Sequence, residues 1–290
     1  MRKISPLRSL TGMVAAVLMM TGCNGQQSGV ADGGGKDPKQ AVCRDSNTLS
    51  TKRISKHIRN VSGEYKLTID FPESNNALLD HAIREYISES LGATYGGGEE
   101  DSKQGSYNGD LADGEKMAAY YLDIKVKEFS ALYNDMKRDG MPNVPQLSSE
   151  IEITRGYENP KVVTYNFSRY EYAGGAHGGA VGSGMTFRKS DGRRIGWEIF
   201  HTAKMQRILR NGLKTYFEVG SDDALTDCLN TESLNDIPMP VTPPLFTEEG
   251  ITVIYQQYEI AAYAAGMPSF TIPYGEAREL LNATGKKLLP

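Results

Sequence analysis

Residues Tyr170 to Gly184 read YEYAGGAHGGAVGSG and place six glycines in fifteen positions. Glycine loses more backbone freedom on ordering than any other residue, so no helix runs through such a stretch. The flanks decide what it joins. Lys161 to Tyr172 before it and Met185-Thr-Phe187-Arg after it alternate apolar and polar residues, as half-buried strands do. Ser190-Asp191-Gly192-Arg193 then separates the second run from Arg194-Ile-Gly-Trp197, and Asp-Gly between two such runs is a hairpin signal. The glycines are therefore expected in a loop set among antiparallel strands. A phosphate cradle needs the opposite context, a glycine turn opening directly into a helix N-terminus. No Gly-Lys-Ser/Thr occurs, and Gly182-Ser183-Gly184 has no third glycine three residues on. A nucleotide site is excluded on these grounds.

Elsewhere strands and helices come in groups. Gly63 to Phe71 alternates as a strand. Ala77 to Leu91 carries Leu79, Ile83, Tyr86, Ile87 and Leu91 at helical spacing, with Gly92 as a stop. Residues 93–113 are rich in Gly, Asp, Glu and Ser and read as a loop. A second amphipathic helix is expected from about Glu115 to Asp139. Two strands follow, around Glu150–Thr154 and Lys161–Tyr172, joined at Glu158-Asn159-Pro160. Thr202 to Val219 predicts a helix, Leu245–Thr247 and Ile251–Tyr255 a hairpin, Ser269–Pro273 a strand and Tyr274–Asn282 a closing helix. Grouped elements of this kind give an α+β fold, with antiparallel sheets and hairpins packed against amphipathic helices.

The first residues suggest an address. Arg2, Lys3 and Arg8 precede an apolar run from Leu10 to Met20, too short to span a bilayer as a helix. Met20-Thr21-Gly22-Cys23 follows and resembles a bacterial lipobox, in which the cysteine is lipidated and becomes the new N-terminus. Asn24 to Gln40 is Gly, Gln, Ser, Asp and Lys rich and suits a flexible tether. The order of anchor, tether and folded part points to the cell envelope, extracytoplasmic and membrane-held through lipid on Cys23. The formal charge is -4 and becomes -7 once Arg2, Lys3 and Arg8 leave with residues 1–22. An acidic chain of this kind argues against nucleic acid as a partner and favours a basic protein. With Cys23 lipidated, Cys43 and Cys228 are left as a possible disulfide pair.

Catalytic and metal patterns are sparse. The only histidines are His57, His81, His177 and His201, with no paired-histidine spacing for zinc. Ser183 lacks the outer glycines of a nucleophile elbow, because Val181 and Met185 fill those positions. Glu171, His177 and Glu259 are the acid–base candidates if the protein were a cell-wall polymer hydrolase. Otherwise the glycine loop either only closes the fold, with His177 bonding through both ring nitrogens, or presents tyrosines as a contact surface. Tyrosine suits the latter role because it offers rigid contact area with a polar tip. The candidate contact or loop-shaping residues are Tyr170, Tyr172, Gly174, Gly175, His177, Tyr258 and Tyr263.

Several of these motifs also carry a resemblance. Tyr172-Ala-Gly-Gly-Ala-His177, Met185-Thr-Phe187, Trp197-Glu-Ile-Phe200, Phe246-Thr-Glu-Glu-Gly250 and Tyr258-Glu-Ile-Ala-Ala-Tyr263-Ala-Ala-Gly266 run in an order similar to a family of extracytoplasmic bacterial domains. Its known member is the lysozyme-sensing outer domain of the RsiV anti-sigma factors, and the same domain accompanies the deacetylase PdaC. The resemblance implies an RsiV-like domain at 148–290 preceded by a smaller α+β companion at 55–147, closely associated, after a signal at 1–22 and an anchor and tether at 23–54. It implies binding, not catalysis, with no metal and no cofactor. No anti-sigma segment and no deacetylase pattern are found, so what it leaves is the binding part. The expectation is a non-enzymatic envelope lipoprotein that binds a lysozyme-like protein or cell-wall glycan. A hydrolase and a purely architectural lipoprotein are the alternatives; no oligomeric state follows.

Overall fold

The computed structural model describes residues 48–93, 106–231 and 233–290. Its first part is a six-stranded sheet in the order β1(Thr51–Arg59), β2(Gly63–Pro72), β3(Leu147–Glu158), β4(Val162–Tyr172), β5(Gly179–Arg188) and β6(Arg194–Ile195). All neighbours are antiparallel except β2 and β3, which run parallel from Gly63↔Leu147 to Ile69↔Ile153. The expected α+β arrangement with antiparallel pairing is thus present, with one parallel pair among its strands. The reason lies between those strands: α1(Ala77–Gly92) and α2(Gly114–Arg138) fill the connection, and a parallel return needs such a crossover. The periodic residues of both helices, among them Leu79, Ile83, Ile87, Met117 and Tyr121, pack on one face of the sheet against Tyr65, Leu67, Ile69, Ile153, Tyr165 and Phe187. Asn76 caps α1 through Leu79 N–H, and Asp113 caps α2 through Lys116 N–H.

A second core follows. α3(Met205–Phe217), α4(Asp222–Thr226), the sheet β7(Leu245–Phe246)–β8(Gly250–Ile254)–β9(Ser269–Pro273), α5(Tyr274–Leu280) and α6(Ala283–Lys286) enclose Leu209, Leu213, Phe246, Val253, Tyr255 and Ile272. A 3-10 turn at Thr202–Lys204 replaces the first turn expected of α3. Both cores are built on the continuous sheet that includes β3. The first draws on residues 49–187, and the second on Val162 and residues 195–289.

Strand parity explains how they join. Val162, Thr164 and Asn166 alternate with Val163, Tyr165 and Phe167 and face away from α1 and α2. Thr164 Oγ1 and Thr186 Oγ1 lie 2.9 Å apart, both buried, and Thr186 Oγ1 also accepts from Phe246 N at 3.1 Å. The second core therefore sits on the outer face of β4 and β5. On β1 to β3 that face is polar: Arg53, Ser55, His57, Lys66, Thr68, Glu150 and Glu152.

Candidate functional site

The glycine stretch divides into a turn and a strand. Only residues 173–178 form the connection expected throughout; Gly179 to Gly184 belong to β5, in register with Glu171 to Asn166. Glycine is tolerated there because other chains press close. A Cβ on Gly184 would stand 2.4 Å from the Tyr165 carbonyl and 3.1 Å from a Leu245 methyl, and one on Gly182 would touch Met267 at 3.3 Å. Gly174 and Gly175 have φ of 92° and 93°, the left-handed region that glycine occupies without penalty. Tyr172 closes the turn by donating its hydroxyl to Gly175 O at 3.0 Å. Buried Gly178 leaves room for the Tyr170 hydroxyl, which would lie 2.5 Å from a Cβ there.

Among the described residues, β6 pairs only with Thr186 and Phe187, and no strand lines the rest of the second edge of β5. Two glutamines take the place of a strand. Gln256 donates Nε2–H to Gly182 O at 2.7 Å and accepts from Gly182 N at 3.3 Å, and Gln257 Oε1 accepts from Ala180 N at 3.2 Å. Glu259 then fixes the loop behind them. Its carboxylate accepts from Gln256 N at 2.6 Å and from Val241 N at 2.7 Å. Tyr255, fully buried beneath, donates to Pro238 O at 2.8 Å, and burial raises its hydroxyl above the ordinary tyrosine range.

This loop holds Tyr258 at φ 66° with 60% of its surface exposed. A side chain in the left-handed region costs about 1–2 kcal/mol, and the fixed neighbours on both sides maintain it. Tyr258 lies 5.5 Å from the Tyr263 ring, and Tyr263 stacks on His177 at 4.1 Å with planes 23° apart. Gly178 O joins the set, accepting from Tyr263 Oη at 2.8 Å and from His177 Nδ1 at 2.9 Å. A carbonyl can only accept, so His177 carries its proton on Nδ1. His177 is thus held by one ring nitrogen and a stacked ring, where bonds through both nitrogens were expected. Tyr170, 41% exposed, abuts the same glycine.

Four of the expected residues, Tyr170, His177, Tyr258 and Tyr263, therefore form one cluster; Tyr172, Gly174 and Gly175 shape the turn beside it. The acid–base candidates have separate engagements. Glu171 pairs with Lys125 at 3.0 Å and accepts from Ser149 Oγ at 3.3 Å, Glu259 is bound to backbone N–H groups, and His177 is stacked on Tyr263. Among the described residues no group of three His, Cys, Asp or Glu side chains could hold a metal, and no helix is long and apolar enough to cross a membrane. Cys228 has no disulfide partner among the described residues and its Sγ lies 3.3 Å from Ala224 O; Cys23 and Cys43 lie outside the described residues, and so does any Cys43–Cys228 pairing. Gln256, Gln257 and the bracing role of Glu259 were not anticipated from sequence.

Residues 203–275 match the model of a family described as a protein of unknown function, DUF3298, a stretch that holds Tyr258 and Tyr263 and omits Tyr170 and His177. No curated protein matches the chain. Several solved chains are similar, two of them as follows. One is a DUF3298 family member from Bacteroides fragilis, with TM-score 0.61 and 18% identity over 82% of this chain and 95% of that one. The other is a DUF3298 family protein from Pseudomonas aeruginosa, with TM-score 0.54 and 14% identity over 82% of this chain and 96% of that one. At such identities the likeness shows a shared fold alone. Residues 203–275 thus resemble the DUF3298 model, and the chain shares its fold with two solved proteins described as members of that family.

Proposed function

We propose that this protein is a non-enzymatic binding module, held in the cell envelope by lipid on Cys23, and that His177, Tyr258, Tyr263 and Tyr170 form its contact surface. The observation that carries this reading is Tyr258, a large aromatic side chain kept exposed on a strained backbone by a fully bonded loop. Strain of this kind clusters at functional positions. Rigid aromatic residues with a polar tip are what recognition surfaces use, because little side-chain entropy is lost on contact.

The RsiV-like resemblance and the acidic balance favour a basic, lysozyme-like protein, whose encounter would be faster at low salt. Exposed rings also suit cell-wall glycan. Hydrolysis is disfavoured by the engagements of Glu171 and Glu259, since neither carboxylate is free to exchange a proton without losing its bonds. The test is binding of a C-type lysozyme and of purified cell-wall sacculi by the protein and by its Tyr258→Ala/Tyr263→Ala variant. Loss of binding with an unchanged circular dichroism spectrum is expected. Unchanged binding would remove the site, and release of soluble product that stops in His177→Ala would replace binding with catalysis.

A further inference from the structure

The outer face of β1 to β3 leads into the aromatic cluster. Cross-strand register sets two rows across it. One runs His57, Lys66, Glu150, Tyr170, Ala180, and the next runs Ser55, Thr68, Glu152, Ser168, Gly182. The second row ends at Gly182 beside Met267, and the first passes Tyr170, which lies against Gly178, to Ala180. The sheet is thus a floor and the loop carrying Tyr258 and Tyr263 a wall. A cavity of about 200 Å³ opens on the floor, lined by Ser55, His57, Lys66, Thr68, Glu150 and Glu152.

We infer that this floor is a glycan cleft, taking a linear chain of uncharged N-acetylated sugars that starts at the cavity and ends with a ring against Tyr170. The inference rests on the contact-surface reading above and narrows its ligand. The charges select the class. Glu150 and Glu152 have no ion pair among the described residues and would repel a polyanion. Lys66, paired with Glu64 at 3.4 Å, places an ammonium in register with Glu150. Carboxylate, ammonium and hydroxyl groups side by side suit a ligand that both donates and accepts hydrogen bonds without net charge, as sugar hydroxyl and acetamido groups do. Three strand spacings of about 4.8 Å separate His57 from Tyr170, about 14 Å of floor, which suits a short oligosaccharide lying across the strands. Tyr170 supplies the apolar face on which a sugar ring stacks.

The probe is the β-1,4-linked tetramer of N-acetylglucosamine, titrated calorimetrically into the full chain in mild detergent, with polyglutamate and polylysine as charged controls. Saturable binding of the tetramer is expected, about tenfold weaker in Tyr170→Ala, weakened in Glu150→Gln, and blocked in Thr68→Trp, which fills the cavity from a half-buried position on β2. Failure to bind the tetramer, binding that Thr68→Trp and Glu150→Gln leave intact, or preference for either charged polymer would overturn the cleft. Lysozyme binding measured on the same samples separates the two readings. If lysozyme binds through Tyr258 and the tetramer does not bind, only the cleft is lost; if neither binds, the contact surface fails as well.

Discussion

Replacing Gly184 and Gly182 one at a time by alanine tests whether glycine in β5 exists to let other chains approach. A methyl on Gly184 meets the Tyr165 carbonyl at 2.4 Å, backbone that can move only with β4, and Leu245 at 3.1 Å on the far side. Overpacking of this kind costs about 1–3 kcal/mol, and the reduced freedom of the unfolded chain returns only about 0.4–1 kcal/mol. The net expectation for Gly184→Ala is a loss of about 1–2 kcal/mol, or roughly 2–8 °C in Tm at this chain length. Gly182→Ala meets only the end of Met267, a flexible side chain, at 3.3 Å. It should stay within about 0.5 kcal/mol of the parent. Urea unfolding followed by tryptophan fluorescence suits the purpose, since Trp197 bonds Pro240 O at 2.9 Å and reports on the second core. Equal effects of the two substitutions, or a neutral Gly184→Ala, would refute the close-approach argument.

Other consequences are independent of that pair. Arg169 is buried and donates to Ser90 O at 2.7 Å and to Ala93 O, closing the end of α1; burial lowers its pKa, against the opposing pull of Glu171 and Glu128. Arg169→Met should cost about 1–3 kcal/mol and speed hydrogen exchange in the last turn of α1. Asp191, bonded to Arg188 at the β5–β6 hairpin, has its pKa lowered from 3.8 to about 2. A depressed carboxylate contributes stability that is present above its unfolded pKa and lost as pH falls toward 2. Because the pair is exposed, Asp191→Asn should cost under about 1 kcal/mol at pH 7, and the difference from the parent should shrink as pH falls through about 2 and vanish below it. Glu259→Ala frees the Val241 and Gln256 N–H groups; protease cleavage near Tyr258 should quicken and ligand binding weaken, while the urea midpoint moves little.

The helices were readable because burial on one side imposes a 3.6-residue period: α1 keeps the expected start at Ala77, and α2 begins within a residue of Glu115. The hairpin at Asp191-Gly192 was readable because Gly192 takes φ 72°, a value glycine alone adopts freely. The parallel β2–β3 pair was not, since nothing local in Gly63–Ile69 distinguishes a parallel neighbour from an antiparallel one. Gly179–Gly184 was read wholly as loop because the residues that make it a strand, Gln256 and Gln257, lie some seventy positions further on. Tyr258, Tyr263 and His177 were singled out as types suited to contact. Their stacking depends on Gly178 O, which His177 reaches locally and Tyr263 reaches from across the fold.

The most direct measurement is a hydrogen-exchange footprint of the protein with and without a saturating C-type lysozyme. The account predicts slowed exchange confined to residues 169–171, 177–180 and 256–265, lost in the Tyr258→Ala/Tyr263→Ala variant. Protection restricted to the α1–α2 face, or no change at saturation, would contradict it.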